Sequence, residues 1–125
     1  MRHKVVKCKD FQIANNKKLT LISGPCQIES EQHAIDIAGF IKELTSQLGV
    51  NYIFKSSFDK ANRTSISGAR GLGLDKSLKI FDKIRNQLNL PVLTDVHNIE
   101  QCSIISKVID IIQIPAFLCR QTDLL

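Results

Sequence analysis

The sequence predicts an α/β fold of parallel strands alternating with helices, and three observations carry that prediction. Short apolar runs rich in β-formers alternate with stretches whose apolar residues recur at helical spacing, in the order βαβαβαβ. Repeated strand–helix–strand units favour a parallel sheet or barrel with right-handed crossovers. The four strand ends carry Cys26, Lys55, Asp95 and Gln113, polar groups at the rim where such folds place ligands.

The elements follow in order. Val5, Val6, Phe11 and Ile13 around Lys9-Asp10, with a polar turn at Asn15-Asn16-Lys17-Lys18, read as a short β-hairpin over about residues 4–18. Thr20 to Ser23 is the first barrel-type strand and ends at Gly24-Pro25-Cys26. Ser30 is placed to cap a helix that buries Ala34, Ile37, Ile41, Leu44 and Leu48 and stops at Gly49. The second strand is Asn51 to Phe54; after a long polar loop, a helix from about Leu74 buries Leu74, Leu78, Phe81, Ile84 and Leu88. Arg70 to Gly73 is the turn into that helix, since the segment lacks the third glycine and preceding strand of a nucleotide fingerprint. Val92 to Thr94 is the third strand, Asn98 caps a third helix burying Cys102, Ile105 and Val108, and Ile109 to Ile114 is the fourth strand. Thr122-Asp123 resembles the start of a fourth helix.

A chain of 125 residues, 43% hydrophobic and 23% charged, suits one modest soluble domain. Its formal charge of +5 would suit nucleic acid, an anionic membrane surface or anionic metabolites. With no Trp, one Tyr and no basic patch interleaved with aromatics, nucleic acid ranks low. No stretch fits a signal peptide or membrane span, and four cysteines at 8, 26, 102 and 119 show no zinc-finger spacing. The expectation is a cytoplasmic protein with reduced thiols, in which Cys8, Cys102 and Cys119 are packing residues.

The run from Phe54 to Ser65, FKSSFDKANRTS, is the most informative stretch. It places Lys55, Lys60 and Arg63, with Ser56, Ser57 and Asn62, just past a buried strand. Ammonium, guanidinium and small hydroxyl or amide groups together match the charge and geometry of a phosphorylated acid. Gln113 is notable for the opposite reason: an amide in an Ile-rich strand needs partners or loses about 1–3 kcal/mol, which favours a ligand-facing role. On residue type alone, Asp95 reads as a capping or loop carboxylate, His97 as a surface imidazole and Cys26 as an inert buried thiol.

The same run, with Gly24-Pro25-Cys26 upstream and IQIPAFLCRQTD from Ile112 to Asp123 downstream, resembles 3-deoxy-D-manno-octulosonate 8-phosphate synthase from about Leu21 to the last residue. The resemblance implies a (β/α)8 TIM barrel, which takes about 250 residues, so the 125 residues would form its N-terminal half, preceded by the hairpin. It implies condensation of phosphoenolpyruvate with arabinose 5-phosphate, the catalytic positions falling at Lys60, Asn62 and Asp95. Lys55, Ser57, Lys60 and Gln113, with the backbone at Ala116, would hold phosphoenolpyruvate. Asn62, Arg63, Thr64 and Asp95 would hold the sugar, with Arg120 reaching its phosphate across a subunit interface of a homo-oligomer. Thr64 stands where Ser is usual, its methyl crowding the site. Cys26 implies the branch that requires a divalent metal; the remaining ligands, and a Lys and an Arg for phosphate, are expected beyond residue 125.

A half barrel would leave open strand edges. The expectations are therefore a truncated or split product paired with a complementary C-terminal fragment, self-association, or a non-catalytic gene remnant. The heptulosonate phosphate synthases share the Gly-Pro-Cys motif; the KANRTS and IQIPAFLCRQTD blocks argue against that alternative.

Overall fold

A computed structural model describes residues 4–60 and 71–125. Strands β1 (Val6–Cys8) and β2 (Phe11–Ile13) pair antiparallel, with Val6 opposite Ile13 and Cys8 opposite Phe11. Then come β3 (Thr20–Ser23), α1 (Glu31–Gln47), β4 (Asn51–Lys55), α2 (Leu74–Gln87), β5 (Val92–Asp95), α3 (Ile99–Ile105) and β6 (Ile111–Gln113), followed by a 3₁₀ turn at Ala116–Leu118. The last four strands form one parallel sheet in the order β3-β4-β5-β6. The chain is thus a mixed α/β protein with a parallel sheet.

Alternation along the strands separates two faces. Tyr52, Phe54 and Val92 point to one side, where they form a core with Ala34 and Ala38 of α1, Ile80, Phe81 and Ile84 of α2, and Ile105 of α3. The three described helices therefore pack on one face. On the other, Ile53 and Leu93 are buried with Cys8, and Phe11, Ile13 and Ile111 pack around them. The β1–β2 pair thus covers part of the helix-free face.

Capping explains the helix starts. The Ser30 hydroxyl accepts from the His33 amide at 3.2 Å, and Asn98 Oδ1 accepts from the Gln101 amide at 3.0 Å. The buried face of α1 differs from the expected one: Ala34, Ala38 and Thr45 are buried, whereas Leu44 is exposed and Phe40 and Leu48 are each 68% exposed. Apolar residues occupy more than one side of this helix. The small alanines form the side laid on the sheet, which turns the bulkier residues outward.

The fourth strand is shorter than expected because Asp110 serves as an anchor. Its carboxylate accepts from Arg85 Nε at 3.1 and 3.2 Å and from the Val92 amide at 3.0 Å. This ion pair joins the end of α2 to the beginnings of β5 and β6, and the Asp110 hydrogen bond and charge hold the Arg85 guanidinium above its ordinary pKa. Val108 lies past the end of α3 but still packs on the core with Cys102. Near the last residue, the Leu124 and Leu125 amides both donate to the Gln121 carbonyl.

Candidate functional site

The helix-free face becomes polar towards the strand C-termini. Cα register sets Leu93 level with Lys55 on one side and Ile111 on the other, and sets Asp95 level with Gln113. Lys55, Leu93, Asp95, Ile111 and Gln113 therefore share this face. Apolar side chains line its base while an acid and an amide stand side by side above them.

The loops beyond this edge enclose a cavity of about 510 Å³ lined by Asp59, Lys60, Asp95, His97, Pro115, Phe117 and Leu118. Its walls come from the segments after β4, β5 and β6. Lys60 and Asp95 both line this cavity. Ala116 lies in the 3₁₀ turn beside Pro115 and Phe117, and Arg120 is exposed just past it. Asn62, Arg63 and Thr64 lie outside the described residues.

The loops after β3 and β4 are bound to each other. Ser57 is 2% exposed; its carbonyl accepts from the Ile28 amide at 2.9 Å and its amide donates to the Cys26 carbonyl at 3.3 Å. The Ser56 hydroxyl donates to the Pro25 carbonyl at 2.8 Å. Closeness explains Gly24, where a Cβ would stand 2.0 Å from the Lys55 carbonyl oxygen. Gly71 re-enters on the other side with φ +93°, a Cβ there falling 2.7 Å from the Phe58 oxygen. Two glycines thus let the backbone wrap tightly around the cationic segment.

Asp95 and His97 lie within hydrogen-bond distance of each other. His97 Nε2 lies 3.1 Å from Asp95 Oδ2, the His97 amide donates to Gln101 Oε1 at 2.7 Å, and the imidazole lies 5.3 Å from the Phe58 ring centre. Asp95 Oδ1 is buried without a hydrogen-bond partner among the described residues. Asp95 is therefore not the cap of α3, a role filled by Asn98. Nor is His97 a surface group: its side chain is 19% exposed. Its position two residues beyond Asp95 on a turn after the strand was the available signal. Asp59 likewise lines the cavity without having been assigned a role.

The thiols divide by exposure. Cys8 is buried, Cys102 is intermediate, and Cys26 and Cys119 are exposed, so Cys119 does not pack as expected. Burial, aided by the Asp110 charge and opposed by Lys9, pushes the Cys8 thiol above its ordinary pKa. Because the thiolate is the reactive form, alkylation at mildly alkaline pH should reach Cys26 and Cys119 first and Cys8 last, read by mass spectrometry over time. Among the described residues no group of three or more His, Cys, Asp or Glu is placed to hold a metal ion. Cys26 alone supplies one candidate ligand, and one Cys does not by itself make a metal centre. No described helix is long and apolar enough to cross a membrane.

The chain is similar to known proteins. Residues 3–125 match the model of the DAHP synthetase I family. The chain is 56% identical over 120 residues to a 2-dehydro-3-deoxyphosphooctonate aldolase of Bartonella tribocorum, covering 96% of this chain and 43% of that protein. It is 60% identical over 121 residues to the protein of that name from Methylobacterium radiotolerans, covering 97% and 43%, and 57% identical over 122 residues to that from Rickettsia typhi, covering 98% and 44%. The chain thus spans less than half the length of these curated relatives. With its parallel sheet and a match over nearly its whole length, the chain belongs to the DAHP synthetase I family.

Proposed function

We propose that these residues form the N-terminal half of a (β/α)8 barrel in a 3-deoxy-D-manno-octulosonate 8-phosphate synthase. The observation that carries the reading is the cavity at the strand C-termini, lined by Lys60 and Asp95, in a chain 56% and 60% identical to aldolases of that name. Sequential strand order with every helix on one face suits half of a barrel wall. The exposed apolar residues Phe40 and Leu44 of α1 and Leu48 at its C-cap, with Leu21 and Ile22 on edge strand β3, are the surface the remainder of the barrel would cover.

In the proposed reaction, carbon 3 of phosphoenolpyruvate forms a bond to the aldehyde carbon of arabinose 5-phosphate. Water adds at carbon 2, and phosphate leaves with cleavage of its carbon–oxygen bond, giving the eight-carbon sugar acid phosphate. The protein's work is positioning two anions and stabilising charge as it develops. Lys55, Ser57, Lys60 and Gln113, with the backbone at Ala116, are assigned to phosphoenolpyruvate. Asn62, Arg63, Thr64 and Asp95 are assigned to the sugar, and Arg120, exposed past the 3₁₀ turn, to the sugar phosphate across an interface between copies. Cys26 is assigned one metal-ligand position, its co-ligands coming from outside the described residues. The product would feed lipopolysaccharide synthesis in the cytoplasm. Activity requires the missing length, whether continuous with this chain or supplied as a separate fragment.

Sugar choice tests the reading against the heptulosonate alternative. Mixed with the C-terminal remainder of a relative and divalent metal, the chain is expected to release phosphate with arabinose 5-phosphate in preference to a four-carbon aldose phosphate. The reverse preference would assign it to heptulosonate synthesis.

A further inference from the structure

We propose that His97 is a positioning residue that turns the Asp95 carboxylate so that one oxygen stays available to a hydroxyl-bearing ligand. The inference rests on the functional reading above, in which Asp95 meets the sugar. Three observations carry it. Asp95 and His97 both line the cavity, and His97 Nε2 lies 3.1 Å from Asp95 Oδ2. The second oxygen, Oδ1, is buried yet has no hydrogen-bond partner among the described residues. The imidazole lies against the Phe58 ring, and the His97 backbone amide is held by Gln101.

Local hydrogen bonds hold the turn that carries the imidazole. The His97 amide is held by Gln101 Oε1, Asn98 Oδ1 accepts from the Gln101 amide, and the Val96 amide donates to the Gln113 carbonyl at 3.2 Å. The Phe58 ring limits the tilt of the imidazole at a centroid distance of 5.3 Å. The turn after β5 is therefore tied to α3, to β6 and to the segment after β4. An ionised carboxylate only accepts hydrogen bonds, so the imidazole donates from Nε2. With Oδ2 engaged, Oδ1 is the oxygen left to accept.

A buried acceptor without a donor is costly, and a ligand that supplies the donor recovers that cost on binding. A polyol can do so. Phosphoenolpyruvate, which has acidic oxygens and no alcohol, cannot, and the Asp95 charge would repel it. The pair therefore places the hydroxyl chain of the sugar over β5 and leaves the anions to cations such as Lys60. Loss of the His97 donor should weaken the sugar and spare phosphoenolpyruvate.

Two variants separate positioning from packing. His97→Phe keeps a ring against Phe58 without a donor, whereas His97→Gln keeps an amide donor near the position of Nε2. With the C-terminal remainder present, His97→Phe should raise KM for arabinose 5-phosphate about tenfold and leave KM for phosphoenolpyruvate unchanged, and His97→Gln should stay within about threefold of the parent. Parent-like sugar KM in His97→Phe, or equal damage to both substrates in both variants, would overturn the proposal. A second arm needs no turnover: nitrogen-15 NMR of the 125-residue chain should show His97 as the Nε2–H tautomer, with its signals moving in Asp95→Ala. An Nδ1–H tautomer, or signals indifferent to Asp95→Ala, would overturn the pairing. Silence of the parent with every sugar would overturn the functional reading, while the NMR arm would still decide the pairing.

Discussion

Lys60→Ala is expected to lower kcat/KM for phosphoenolpyruvate by about 10- to 100-fold in the enzyme completed by its C-terminal remainder. Lys60 lines the cavity together with Asp59 and Asp95. Two substrates that each carry phosphate repel one another unless cations stand between or beside them. A hydrogen bond to a charged group contributes about 1.5–3 kcal/mol, and each 1.4 kcal/mol is tenfold, which sets the expected range. Lys60→Arg should recover part of the loss, because it keeps the charge but not the compact ammonium. Steady-state kinetics with phosphoenolpyruvate varied is the check. An alanine variant within threefold of the parent would remove Lys60 from the site.

Gly24→Ala is expected to cause the largest loss of stability. An added Cβ would overlap the Lys55 carbonyl oxygen at 2.0 Å, lie 3.0 Å from its carbon and press on the Phe54 ring at 3.2 Å. Two of these contacts are backbone atoms at the end of a central strand, which cannot swing aside as a side chain can. Overpacking of this kind costs about 1–3 kcal/mol and sometimes more, out of a stability of about 5–15 kcal/mol. The melting temperature should fall by roughly 10 °C. Gly39→Ala gives the contrasting sign: apart from adjacent residues and the backbone of its own helix, no heavy atom among the described residues lies within 4 Å of its added Cβ, and alanine is favoured over glycine within a helix by about 1 kcal/mol. Thermal unfolding of both variants tests the comparison, and equal melting temperatures would contradict it.

Much of this architecture is legible in local sequence. Ser30 and Asn98 mark helix starts because their side chains satisfy amides that the helix leaves open. Lys55, Asp95 and Gln113 mark strand ends because polar groups interrupt apolar runs, and register then places them on one face. The orientation of α1 was less accessible: apolar residues lie around much of its circumference, and periodicity alone does not reveal that Ala34 and Ala38 make the close contact. His97 was hidden for a different reason. Its role depends on the tilt of one turn and on Phe58, a residue 39 positions earlier in the chain. The anchoring role of Asp110 likewise emerges only when Arg85 and the Val92 amide converge on it.

The central proposal is that this chain supplies one wall of a synthase site and acts together with the remainder of the barrel. The most direct measurement is phosphate release from phosphoenolpyruvate and arabinose 5-phosphate with added divalent metal, using the folded 125-residue chain first alone and then with the C-terminal remainder of a relative. The account predicts silence alone and turnover in the mixture. Turnover by the chain alone would contradict the need for further groups, and silence in the mixture, with both parts folded and associated, would contradict the synthase assignment and favour a catalytically dead remnant.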